Sequence, residues 1–443
     1  MKKRKSISLK VILGLLALGV AACGPQGMRL PEIPVLGDLG RDPGRIVYLS
    51  TDGNIYTIDP SGGEKRAVTT DGETTLGESG IARQYQFPAW SPDGRRLAFV
   101  GLDRSQSGVE RVRLFTARQD GSDLVSAYES TVEYPFYLYW SPDSDQVAFL
   151  TTLPDQGITL KIVPATGGET RTLATGSPFY WDWAPDDRTL LIHTGGSVQD
   201  RSNARLTLLD LETGVAQDLQ ARPGSFQAPA WSPSGKEFVL GTPGSDGKES
   251  ILLADREGEA IRDLVEVDAP VFFAWSPDGK KLAYLATDPE LMGGLAQILS
   301  VIEPENPEAA VKAKEELVVA FFWSPDSRQI AFFTPAVFSP TPPAGQDGAP
   351  QQVFYLRLYV LDVQTGESRE LALFRPTQDF LNILPYFDQH SRSATIWSPD
   401  SRNLVIPANS QEGEPNIFVV EADGDPQPSL ITDGTVAFWS GRR

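Results

Sequence analysis

The chain has 443 residues, 40% of them hydrophobic, with 40 Gly, 35 Pro, a single Cys and a formal net charge of −19. That apolar share supports a real core, and the Gly and Pro are spread along the chain as turn punctuation, which excludes wholesale disorder. The excess of carboxylates gives a solvated surface that repels phosphates and anionic headgroups, so nucleic acid is excluded as a partner.

The first element is an address. Lys2-Lys3-Arg4-Lys5 forms a basic start, and Val11–Val20 is an apolar run too short for a span of about 20 residues. Residues 1–22 therefore read as a secretory signal peptide. Val20-Ala21-Ala22-Cys23 resembles the bacterial lipobox, which implies lipidation of Cys23 and stable anchoring by two or three acyl chains. The expected location is the extracytoplasmic face of the plasma membrane or the periplasmic side of an outer membrane, with membrane contact through the lipid alone. Cys23 is the only cysteine, so no disulfide and no Cys-ligated metal site forms within the chain. Residues 1–22 hold Lys2, Lys3, Arg4, Lys5 and Lys10 and no acid, so the chain from Cys23 onward carries −24. Residues 23–45, with Pro25, Pro31, Pro34 and Pro43, read as an extended tether.

Arg45–Leu49, Asn54–Asp59 and Lys65–Thr69 then read as three strands of a unit that lacks its first strand. Seven turns follow: Trp90-Ser91-Pro92-Asp93-Gly94, Trp140-Ser141-Pro142-Asp143-Ser144, Trp183-Ala184-Pro185-Asp186-Asp187, Trp231-Ser232-Pro233-Ser234-Gly235, Trp275-Ser276-Pro277-Asp278-Gly279, Trp323-Ser324-Pro325-Asp326-Ser327 and Trp397-Ser398-Pro399-Asp400-Ser401. Their tryptophans lie 50, 43, 48, 44, 48 and 74 residues apart, a period typical of propeller blades. Ser opens all of these turns but the third, Pro fixes φ, and Gly at the fifth position takes the left-handed conformation; Ser144 and Asp187 there imply modest strain. Each Trp supplies apolar bulk between neighbouring units. The following strands, such as Arg96–Val100 and Lys281–Leu285, are apolar on both faces, as a sheet covered on both sides requires. Thr435–Ser440 reads as the missing first strand of the opening unit.

These Trp-Ser-Pro-Asp-Gly repeats resemble the TolB-like β-propeller family over about residues 46–443. The fold class is all-β, and the expected architecture is an eight-bladed propeller of four-stranded antiparallel blades. Its ring is closed by the C-terminal strand pairing with the N-terminal fragment, which removes two exposed sheet edges. The chain departs from TolB in lacking a small α/β domain before the propeller, in its anchor and in its blade count.

The 74-residue interval holds two insertions, Pro335–Gln352 and Arg375–Ser393, the second with Phe380, Leu384, Tyr386, Phe387 and His390. Both map to the face opposite the Trp-Ser-Pro turns. Arg83, Tyr85, Tyr134, Phe136, Tyr180 and Asp182 open the innermost strands and are candidates for a pore-mouth binding surface, joined by Tyr386 and His390 from the insertion. Only His193 and His390 are available, so a multi-His metal site is excluded, and no Gly-x-Ser-x-Gly nucleophile elbow occurs. Asp120-Gly121-Ser122-Asp123 and Asp423-Gly424-Asp425 are turns without an EF-hand pattern. The expectation is accordingly no cofactor, no catalytic residues, and a monomeric, non-enzymatic envelope lipoprotein that binds envelope proteins or cell-wall polymer. The alternative is a carbohydrate- or peptide-active enzyme or solute binder acting through the pore mouth, with Asp182 its best-placed acid.

Overall fold

Short apolar runs divided by turn residues favour strands over helices, and strands dominate throughout. The computed structural model describes residues 43–441 apart from 77–79, 154–156, 197–201, 225–226, 289–295, 339–351 and 425–426. The signal peptide, Cys23, the tether through residue 42 and most of the 335–352 insertion lie outside the described residues.

All strand pairing is antiparallel. Three four-stranded sheets follow one another, opening with the strands Ala82–Trp90, Tyr134–Trp140 and Phe179–Trp183. Two seven-stranded sheets come next. In the first, the long strand Ala260–Trp275 pairs with Glu249–Asp255 through its first half and with Leu282–Asp288 through its second. In the second, Ser368–Pro376 likewise passes from Val353–Asp362 to Asn403–Asn409. A further sheet joins the two ends of the chain: Ile46–Leu49 lies between Ile55–Ile58 and Val436–Trp439, with Ile46 opposite Trp439 and Leu49 opposite Val436.

The second strand of each unit is buried on both faces. Leu97, Ala98, Phe99 and Val100 are fully buried in succession, as are Val147, Ala148 and Phe149. The inter-strand turns show why the Trp-Ser-Pro sequence recurs. Ser91 Oγ donates to Asp93 Oδ1 (2.7 Å) and accepts from the Arg96 amide (3.0 Å), while Asp93 Oδ1 accepts from the Arg95 amide (3.0 Å). The fifth residue is left-handed whether it is glycine or not: φ is 67° at Gly94, 68° at Ser144, 57° at Asp187 and 64° at both Ser327 and Ser401.

The four non-glycine residues have a compensating use. Ser144 Oγ accepts from the Asp93 amide of the preceding turn (3.2 Å), and Asp187 Oδ1 does the same for Asp143 (2.7 Å). Ser327 and Ser401 repeat the bond with Asp278 and Asp326, both at 3.0 Å. The left-handed cost of about 1–2 kcal/mol is thus offset in part by a hydrogen bond worth about 0.5–1.5 kcal/mol. At Gly235 a Cβ would sit 3.3 Å from Cδ of Pro185, so there the neighbouring proline fills the place of a side chain.

The tryptophans also link units. Trp90, Trp140, Trp275, Trp323 and Trp397 donate Nε1–H to the carbonyls of Phe438, Ala89, Ala230, Ala274 and Phe322 at 2.9–3.3 Å. Each acceptor is the residue just before the preceding unit's own tryptophan. The indole N–H of Trp231, by contrast, has no acceptor among the described residues. Both Trp140 and Trp231 are buried, so replacing either with Phe removes similar volume while only the first loses a hydrogen bond. Trp140→Phe is therefore expected to lower unfolding free energy by about 1–2 kcal/mol more than Trp231→Phe, measured by urea denaturation.

Candidate functional site

The insertion at 375–393 is helical and turns inward. Thr377 caps α1 (Gln378–Ile383), its Oγ1 accepting from the Phe380 amide (3.3 Å) and donating to the Thr435 carbonyl (2.5 Å). A 3₁₀ turn at Leu384–Tyr386 leads into α2 (Phe387–His390). Phe380, Leu384 and Phe387 recur at i, i+4 and i+7 and are all buried, a helical stripe that reading this segment as an inserted loop passed over.

The stripe packs on the first two strands of its neighbouring units. Phe387 lies 4.9 Å from the ring of Phe321 and 5.8 Å from that of Phe272, centroid to centroid, and Phe380 lies 5.6 Å from Phe333. His390 meets the Tyr137 ring edge-on at 5.1 Å, and the Tyr137 hydroxyl donates to the Gln389 carbonyl (2.7 Å). Just beyond α2, the Arg392 guanidinium stands 3.6 Å from Asp182 Oδ2.

Several of the candidate residues are brought together around this segment. Asp182 is fully buried, accepting from the Tyr139 hydroxyl (3.1 Å) and the Trp231 amide (2.8 Å). Burial pushes its carboxyl up, opposed by Arg392 and these donors. Tyr180 is also fully buried, its ring 6.0 Å from that of Tyr137, so neither residue is open to solvent. Tyr85 is buried, and its hydroxyl donates to Asp71 (2.6 Å); burial and that carboxylate hold the phenol well above its usual range. Arg83 is engaged by Asp103 (2.6 Å) and Asp71 (2.5 Å). Tyr134 donates to Gln86, and Phe136 is half-buried against the Tyr180–Trp181 cluster. Tyr386 is 54% exposed and makes no part of the grouping.

A cavity of about 340 Å³ lies between the Ile46 sheet, the Ala82 strand and α1. Tyr85 and His390 line it with Phe87, Ile383, Asp379 and Asn382. Phe87 escaped the sequence reading. Its φ is 55°, left-handed for a bulky residue, in a strand whose register shifts between Gln86 and Ala89. Such bulges re-aim side chains and gather at functional sites, and Pro88 is the sequence signal that marks this one. Among the described residues no three His, Cys, Asp or Glu side chains form a metal-binding group.

No protein-family model matches the chain. An uncharacterised peptidase of Bacillus subtilis, YuxL, is 25% identical over 191 residues, covering 34% of this chain and 28% of its own length. Dipeptidyl-peptidase 5 of Porphyromonas gingivalis is 24% identical over 193 residues, 39% of this chain and 26% of its own. The chain thus spans about a quarter of the length of either peptidase. Among solved structures, a prolyl endopeptidase superposes with TM-score 0.51 at 14% identity, covering 86% of this chain and 53% of the other. An oligogalacturonate lyase in complex with manganese superposes with TM-score 0.50 at 14% identity, covering 87% and 98%. TolB from Acinetobacter baumannii covers 82% of each chain at 14% identity and TM-score 0.38. The prolyl endopeptidase and lyase likenesses concern the fold alone, which is nearly all-β and antiparallel.

The expectation of a non-enzymatic lipoprotein that only binds partners is overturned by these relatives, which are named as peptidases. A prolyl endopeptidase shares the fold, so the fold does not separate the two classes. The missing nucleophile elbow spoke only to these 443 residues.

The insertion also makes stability depend on pH. Burial holds His390 down to about 4, and it does the same for His193 against the Gln227 carbonyl, so both take up protons on unfolding below pH 6.5. Their contribution is lost as pH falls from about 6.5 to about 4. Asp388 acts with the opposite sign: burial raises it to about 6, opposed by the backbone amides of Gln389 and Ala228, so its contribution is lost as pH rises through 6. Asp388→Asn should be close to neutral at pH 4 and stabilise by about 2–3 kcal/mol at pH 8, measured by denaturant titration at both values.

Proposed function

We propose that this protein acts on peptides, as a peptidase-type propeller whose cavity beside α1 receives a segment of the peptide chain. The observation that carries the reading is the lining of that cavity. Tyr85, Phe87, Ile383 and Val436 offer apolar walls for a side chain, while the amides of Gln84, Gln86 and Asn382 match the N–H and C=O groups of a peptide. Asp379 is the acid among the described lining residues and no Lys or Arg accompanies it, which favours a neutral or cationic ligand over an acidic sugar. The peptidase relatives support the same substrate class.

The sheet units are read as eight blades of a TolB-like ring, with the Ala260–Trp275 and Ser368–Pro376 strands each running from one blade into the next. Pairing of Ile46–Leu49 with Val436–Trp439 supports closure through the chain ends. Export and lipid anchoring at Cys23 belong to the same proposal. Metabolic labelling with palmitate should mark the protein and fail in Cys23→Ser; label retained in that variant would remove the anchor from the reading.

Short peptides with a central Phe or Leu are expected to raise the melting temperature of the protein and to be cleaved as chromogenic peptidyl anilides. Phe87→Ala should weaken binding about ten-fold, or about 1.4 kcal/mol, in calorimetric titration. Stabilisation by oligogalacturonate with no response to any peptide would overturn the proposal.

A further inference from the structure

The helical insertion faces a second cavity. Residues 391–395 line a space of about 320 Å³ together with Trp90, Ser91, Pro92, Tyr139, Trp140 and Trp439. Ser91 and Pro92 belong to a Trp-Ser-Pro turn, so this cavity opens toward the turns, whereas the cavity beside α1 lies at the starts of the inner strands.

Arg392 is the cation in its described lining. The side chain is 21% exposed, and its one polar contact among the described residues is the 3.6 Å approach to Asp182. That distance is long for a charge-assisted hydrogen bond, which runs at about 2.7–2.9 Å. Asp182 already has its own donors, the Tyr139 hydroxyl on Oδ1 and the Trp231 amide on Oδ2. A guanidinium carries five N–H donors in a planar fork. Here a buried counter-charge stands beside that fork, and no other side-chain or backbone acceptor among the described residues engages it. The hydroxyls beside it are weakly engaged: Ser391 and Ser393 donate at 3.4 Å to the carbonyls of Asp388 and His390.

We propose that Arg392 and the neighbouring Ser391 and Ser393 hydroxyls bind the terminal α-carboxylate of a peptide in this turn-side cavity. The assignment rests on the peptide reading given above. A carboxylate presents two oxygens at the spacing of the guanidinium fork, and a bidentate pair of this kind is among the strongest contacts a protein makes to an anion. Tyr139, half-buried on the same lining, suits an apolar side chain on the same terminal residue. Peptide held here by its C-terminus is bound through its end and not through an internal segment.

The test compares one apolar tetrapeptide as the free acid and as the C-terminal amide, by calorimetry on the full-length protein. The free acid is expected to bind at least ten-fold more tightly. Arg392→Lys keeps the charge but loses the fork and should bring the two ligands within about three-fold of each other. Removing the cation alone would leave Asp182 buried without its partner. The paired variant Arg392→Met with Asp182→Asn is therefore the control; it should melt cooperatively and bind acid and amide equally. Equal binding of acid and amide by the unmodified protein overturns the carboxylate site and leaves the peptide reading standing. Failure of both peptides to bind defeats the peptide reading itself. Displacement of the free acid by a uronate oligosaccharide but not by a second peptide acid would reassign the cavity to acidic sugars and overturn the proposal.

Discussion

Arg45 and Ser440, 395 residues apart, hold each other as the residues of a single turn do. The Arg45 amide donates to Ser440 Oγ (3.0 Å) and the Ser440 amide to the Arg45 carbonyl (2.8 Å). Ser91 and Arg96 make the same two bonds within one Trp-Ser-Pro turn, each at 3.0 Å. The chain ends therefore reproduce a turn without being connected by one. Gly44, at φ 74°, stands against Pro399 much as Gly235 stands against Pro185, because a Cβ at Gly44 would come within 2.7 Å of the Pro399 ring. Everything between the two ends is constrained by this meeting, because the number and tilt of the intervening units must bring residue 45 back to residue 440.

A fold built this way repeats its turns closely, and its variation in length is left to the connections. The insertion between Ser368–Pro376 and Trp397 is the place where that variation is used. Its apolar stripe replaces water against Phe272, Phe321 and Phe333, burying surface at about 25 cal/mol per Å². Its polar groups, the Gln389 carbonyl and Arg392, are met by Tyr137 and Asp182 from strands more than 200 residues earlier. The segment therefore pins distant units to one another while it supplies walls to two cavities.

How far the sequence revealed this depends on the range of the interaction. The Trp-Ser-Pro turns and the buried second strands are local, and period and turn chemistry were enough to place them. Arg45–Leu49 and Thr435–Ser440 read as fragments of one unit because each lacked what the other had. The helical stripe of Phe380, Leu384 and Phe387 was present in the sequence, but in an inserted segment its aromatics read equally well as side chains of a surface loop. Phe87 and Arg392 were not legible: one acquires its role from a register shift in the strand, the other from a carboxylate 210 positions away. Tyr180 stands near the start of its strand as expected, whereas Asp182 stands next to the strand's end, and only the path of the insertion determines that both are covered.

The same neighbourhood explains why the repeat is least regular where it is. The third turn reads Trp183-Ala184-Pro185-Asp186-Asp187, without the serine that elsewhere holds the turn together. In most units a Trp indole reaches the backbone carbonyl of the residue that precedes the earlier tryptophan. Around Asp182 that rule lapses, since neither the Trp183 nor the Trp231 indole finds an acceptor among the described residues. The Trp231 backbone amide donates instead to the Asp182 side chain. A buried carboxylate at that position carries a desolvation cost of several kcal/mol that a regular unit, with Ala or Phe there, does not incur. Natural sequences depart from their own local rules chiefly at functional or strained positions. The departure here coincides with the arrival of Arg392, and a charged residue held so deep is costly for a part that only packs one sheet against the next.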